Sequence, residues 1–157
     1  MHIAEGVLSA PVLITGAVVA AGAVAYGLKK LDPRQVMMAA ILGAAFFVAS
    51  LIHIPVGPSS VHLLLNGLLG VLLGWSAVPV IFVGLLLQVI LYGFGGLTVL
   101  GVNTATMGLG AVLSWYIFGG LLSVLKPLGA KKAAAVSGFV SGACGVAIAA
   151  VLTALAL

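Results

Sequence analysis

Six apolar runs follow one another along the chain, each closed by a short cluster of proline, glycine or charge. They cover about residues 9–28, 36–53, 61–76, 79–93, 104–125 and 133–157. Some 20 consecutive apolar residues cross the hydrocarbon core of a bilayer as a helix. The pattern therefore predicts an all-α membrane protein, a compact bundle of about six transmembrane helices forming a single domain over residues 1–157. The third and fourth runs are short for a span. The breaks are explicit: KKLDPRQ after the first run and IPVGPSS after the second, where two prolines and a glycine stop any helix. Pro79 separates the third and fourth, GFGGLTVLGVNT follows the fourth, and KPLGAKK closes the fifth. Small residues recur every four positions at Ala17, Ala21 and Ala25, at Gly70 and Gly74, and at Gly138 and Gly142. Such rows let helix backbones approach closely in lipid, either as internal packing or as a docking face for another subunit.

Composition turns this pattern into a constraint. Only 5% of residues are charged, 64% are hydrophobic, and the mean hydropathy is +1.41. A soluble domain carries about a quarter of its residues as charges to cover its surface, so this chain belongs in lipid. The 22 glycines suit helix contacts that depend on backbone proximity.

Charge then orients the bundle. Lys29, Lys30 and Arg34 lie in the first connection, Lys126, Lys131 and Lys132 in the fifth, and no other Lys or Arg exists. With alternating spans both connections fall on one side, which the positive-inside rule makes cytoplasmic. The N-terminus is then outside. No Lys or Arg precedes the first apolar run, the wrong order for a cleaved signal, so the mature chain is expected to start at Met1. The net charge of +4 forms no basic stripe and implies no nucleic-acid partner. Cys144, the one cysteine, reads as a small packing residue.

This topology gathers the chain's chemistry at the outer surface: His2, His53, His62, Glu5, Ser59, Ser60 and Asn103, including every histidine and one of two carboxylates. A histidine at position 2 can chelate. The α-amine of Met1, the amide nitrogen of His2 and its Nδ1 close a five- and a six-membered ring around one ion. Three coplanar nitrogens plus a fourth make a square-planar set, which suits Ni(II), Cu(II) or related Co(II) chemistry better than tetrahedral zinc or oxygen-seeking calcium. His62 is the candidate fourth donor, read as standing at the outer end of the third helix. His53 either contributes or caps the second helix. Glu5 either supports the far nitrogen of His2 or acts on the first helix through its dipole. Ser59 and Ser60 are candidate caps of the third helix. Asn103 is either a loop brace or a neighbour of the metal. Asn66 and Gln88, within spans, are expected to hydrogen-bond between helices.

MHIAEGVLS, IPVGPSSVHLLLNGLLGVLLG and GGLTVLGVNTATMGLGA resemble the CbiM/NikM family, the substrate-binding components of energy-coupling-factor transporters for cobalt and nickel. The resemblance implies metal ligation by the amine of Met1, the amide and ring of His2, and His62. It further implies a transmembrane coupling subunit, ATP-binding cassette ATPases and, in cobalt systems, often a small accessory membrane subunit, in a bacterial or archaeal cell membrane. The alanine row at Ala17, Ala21 and Ala25 is the implied docking face. Two departures stand out: relatives often carry histidine near the position of Phe94, and they commonly run longer by a further helix. Other classes fit less well. An intramembrane enzyme would need a Ser/His dyad, paired aspartates or a zinc motif, and the only Asp lies in a loop. A vitamin-binding subunit of the same transporter class would need an aromatic-lined cavity at the outer face. No Walker motif occurs, so any ATP hydrolysis belongs to other chains.

Overall fold

The structure, a computed structural model, describes residues 3–56, 59–62 and 64–157. Helix α1 spans Ala10–Lys30, with Pro11 in its first turn and Lys29 and Lys30 in its last, each where the backbone favours it. A 3-10 turn over Pro33–Gln35 follows, tied by the Asp32 carboxylate accepting from the Arg34 N–H at 2.8 Å. Helix α2 covers Val36–Leu51. Strands β1 (His53–Val56) and β2 (Ser59–His62) pair antiparallel. Then come α3 (Asn66–Leu73), α4 (Ala77–Tyr92), α5 (Leu100–Leu125) and α6 (Ala130–Ala156).

Among the described residues five helical stretches are long and apolar enough to cross a membrane, the third being Asn66–Tyr92. That stretch is broken at Gly74, whose φ of +58° leads a 3-10 turn over Gly74–Ser76. Only glycine takes this conformation at little cost, and a Cβ there would also meet the Trp115 ring. The break reverses the chain. Asn66, Gly70 and Gly74 of α3 lie against Gly110, Ala111 and Trp115, so α3 runs with α5. Gly43, Phe46 and Ser50 of α2 meet Val80, Gly84 and Gln88, so α4 runs with α2. The third apolar run thus departs from a helix over 61–76. Residues 59–62 are strand, and α3 has eight residues, about 12 Å at 1.5 Å each, too short to cross alone. Ser59, Ser60 and His62 lie in β2 rather than at a helix end, and the N-cap position of α3 is Leu65. The C-cap position of α2 is Ile52, and His53 opens β1.

Helix α5 is central and packs on α1, α3, α4 and α6. On α6 the residues facing it are Ala133, Ser137, Ser141, Gly145, Ala149 and Thr153, all buried and spaced by four. Here the backbones come close: Ser114 Oγ donates to the Ser141 carbonyl at 2.7 Å, and a Cβ on Gly145 would overlap Ser114. On α1 the inward row is Gly16, against Val102, followed by Ala20 and Gly27. Asn66 Nδ2 donates to the Gly145 carbonyl at 3.4 Å, and Gln88 Nε2 donates to Ser50 Oγ. Both amides therefore bridge helices, as expected of such residues in lipid. Phe46, Leu69, Ile81, Leu85 and Met107 fill the core, while Met37, Val124, Phe139 and Leu155 point outward. Because α1 and α5 run together (Val12 packs with Val99 and Val102 at one end, and Tyr26 reaches Tyr116 through Trp75 at the other), their C-terminal ends share one face. All six Lys and Arg residues stand at that basic end.

Candidate functional site

The start of the chain is bound to the opposite end. Ile3 is 3% exposed and packs on Val99 and Val102. Its N–H donates to Asn103 Oδ1 at 3.1 Å, and Asn103 Nδ2 donates to its carbonyl at 3.4 Å. One buried amide side chain thus takes both backbone polar groups of Ile3, as a paired strand would. Two residues on, the Glu5 N–H donates to the Gly95 carbonyl at 3.2 Å. The Glu5 carboxylate accepts from the Thr98 N–H at 3.3 Å and the Thr98 hydroxyl at 3.5 Å. Gly96, at φ +143°, lies so close that a Cβ would occupy the space of the Glu5 side chain. Residues 3–5 are therefore laced along 95–103, beside the N-terminal end of α5.

Asn103 thus braces the leading segment through Ile3. The contacts of Glu5 with Thr98 fasten the leading segment to the α4–α5 connection. Phe94, at the position where histidine was noted as common, stacks on Tyr92 with centroids 5.6 Å apart. The hairpin collects the other candidates. In its register His53 stands opposite His62, Ser60 opposite Pro55 and Ser59 opposite Val56. Four residues past His62, Asn66 begins α3 wholly buried, and its Oδ1 has no partner among the described residues. Met1 and His2, the core of the expected chelate, lie outside the described residues. Among the described residues no three His, Cys, Asp or Glu side chains converge. Ala17, Ala21 and Ala25 are exposed along α1, beside the inward row of Gly16, Ala20 and Gly27, with the backbone of Ala17 also meeting Gly101 of α5.

Thr98 and the burial of Ile3 were not singled out in the sequence. The available signal was Gly95-Gly96 just before Thr98, a pair that marks a close backbone approach.

Comparison with known proteins agrees with this architecture. The family model CbiM, described as the cobalt uptake substrate-specific transmembrane region, matches residues 2–157. A Haemophilus influenzae protein assigned to metal transport is 47% identical over 146 residues, 93% of this chain and 69% of that protein. Cobalt transport protein CbiM 1 of Pelobacter propionicus is 41% identical over 69% of this chain and 52% of its own length. The chain thus spans about half to two thirds of these relatives. A crystal structure of a truncated transition metal transporter superposes with a TM-score of 0.70 at 25% identity, over 97% of this chain and 73% of that one. A multi-pass helical bundle whose family model matches all but the first residue, the chain belongs to the CbiM family of cobalt uptake transmembrane proteins.

Proposed function

We propose that the chain is the substrate-capture subunit of an ATP-driven energy-coupling-factor importer for Co(II) or Ni(II). The ion is held by the Met1 amine, the His2 amide nitrogen and Nδ1, and His62, in a planar four-nitrogen set. His53, Ser59 and Ser60, on the same hairpin as His62, and Glu5 and Asn103 hold this arrangement from outside it. The supporting observation is the double hydrogen bond between Asn103 and Ile3, which fixes the residue next to the proposed chelate. The register opposing His53 and His62 adds a second imidazole to the hairpin that carries the fourth donor.

In this reading the basic end faces the cytoplasm of a bacterial or archaeal cell membrane and metal is captured outside. ATP is hydrolysed by cassette ATPases that act through a transmembrane coupling subunit, with a small accessory membrane subunit in cobalt systems. The exposed row Ala17, Ala21 and Ala25 meets the coupling subunit, where small residues permit close helix contact.

The test is spectroscopic. Protein starting at an unmodified Met1 is expected to show the absorption of planar four-nitrogen Ni(II) on titration. Adding one residue before Met1 removes the amine from the chelate and is expected to abolish that band. A band that survives the extension sinks the proposed site. Asn103→Ala, which frees Ile3, is expected to weaken Ni(II) binding by about 10–100-fold, the usual cost of losing a group that orients metal ligands. Calorimetric titration beside Ser123→Ala, remote at the basic end, checks this; equal affinities would show that the brace does not serve the metal.

A further inference from the structure

The chain has two tryptophans and three tyrosines. Both tryptophans and two of the tyrosines line one cavity of about 470 Å³ near the basic end, below the α3–α4 turn. Tyr26 stands edge-on to Trp75 with centroids 4.8 Å apart, and Trp115 stands edge-on to Tyr116 at the same separation. Trp75 Nε1 donates to the Tyr116 hydroxyl oxygen at 3.3 Å and joins the two pairs. Having accepted there, the Tyr116 hydroxyl keeps its hydrogen for an acceptor within the cavity. Lys30 lines the same space, its ammonium 5.6 Å from the centroid of the Tyr26 ring, and Gln35 adds an amide. Among the described residues no carboxylate lines the cavity. The nearest acid in sequence, Asp32, is engaged with the Arg34 N–H.

The donors here are an ammonium, a phenol and an amide, and they face no fixed negative charge. The walls are aromatic, and Trp115 and Tyr116 are 40% and 55% exposed. A small soluble anion would leave those walls unused, whereas a ligand with an anionic head and an apolar tail would use both. Aromatic residues mark the headgroup level of a bilayer, and clustered cations there attract anionic lipid.

We propose that this cavity binds the phosphodiester headgroup of an anionic phospholipid from the leaflet at the basic end. The phosphate sits between Lys30, Gln35 and the Tyr116 hydroxyl, and the glycerol backbone lies against the aromatic rings. This site is separate from the proposed metal site at the other end and stands whether or not that reading holds.

Because both tryptophans line the cavity, intrinsic fluorescence reports on it directly. In vesicles carrying equal mole fractions of brominated phosphatidylglycerol or brominated phosphatidylcholine, the full chain is expected to be quenched more strongly by the former. Lys30→Gln is expected to reduce the preference roughly fivefold, the effect of one cation near a charged leaflet. Lys132→Gln, which removes the same charge from the same face outside the cavity, leaves the preference unchanged. Tyr116→Phe keeps the ring and tests the hydroxyl, and is expected to lower the preference without changing the melting temperature. Equal quenching by the two lipids, the result if a protein segment fills the cavity, overturns the proposal. So does a preference that survives in both Lys30→Gln and Tyr116→Phe. Reversal of the preference by excess soluble glycerol phosphate would make a free phosphate ester the ligand, and would overturn the assignment to lipid.

Discussion

His2→Ala is expected to weaken Ni(II) or Co(II) binding by roughly two to three orders of magnitude. Structural metal sites with four ligands bind with about 10–16 kcal/mol, so each ligand accounts for roughly 3 kcal/mol, and every 1.4 kcal/mol is tenfold. His2 supplies the ring nitrogen and closes the six-membered chelate, so its loss removes a donor and the geometry that selects a planar ion. His62→Ala removes one donor from the hairpin and is expected to cost about tenfold less, because the three-nitrogen chelate survives it. Titration of each variant with both metals separates these outcomes. Wild-type affinity in His2→Ala would remove the chemical basis of the proposed capture site, while the membership of the CbiM family would stand.

The second large effect is on folding. A Cβ on Gly70 would run into the backbone carbonyl of Ala111, where α3 crosses α5. A side chain can rotate out of the way; a carbonyl inside a helix cannot. Gly70→Val is therefore expected to destabilise by at least about 3 kcal/mol, the upper range for overpacking. At the sensitivity of a chain this size that lowers the melting temperature by about 6–12 °C. Gly119, whose Cβ would meet nothing within 4 Å, provides the control: Gly119→Ala should melt with the wild type. Melting of Gly70→Val within about 2 °C of wild type would mean that the α3–α5 contact is looser than described.

How much of this was readable beforehand depends on the kind of signal. Apolar runs located α1, α2, α5 and α6 to within a few residues, because a span must be apolar for its whole length whatever its partners. The third run misled for a physical reason. An apolar count cannot distinguish Val61 in a strand from Val61 in a helix, and the prolines at 55 and 58 already opposed helix up to that point. Of the small pair Gly138 and Gly142 on α6, Gly142 meets the backbone of Gly67 on α3, while the face toward α5 is made by Ser137, Ser141 and Gly145. Serine serves as well as glycine where closeness is needed, and its hydroxyl can return to its own helix, as Ser141 Oγ does to the Ser137 carbonyl at 2.6 Å. Candidate site residues were legible as types and not as pairs. Asn103 was noticed beside its glycine corner, but its grip on Ile3 spans 100 residues of sequence and leaves no periodic trace. The same holds for Glu5 and Thr98.

The evenly spaced contacts of α6 also carry a structural ambiguity. A repeat of four residues on a helix of 3.6 per turn precesses around the axis, so α5 and α6 should wind about each other in the right-handed sense. Near-identical steps of Ala, Ser and Gly would in addition fit almost as well after a slip of one turn. What opposes the slip is the step that does not repeat: at Gly145 any Cβ would overlap Ser114 of α5, and Asn66 of α3 donates to the Gly145 carbonyl. The register of α6 is thus keyed at one glycine by two neighbouring helices, as a vernier is read at its single coinciding mark.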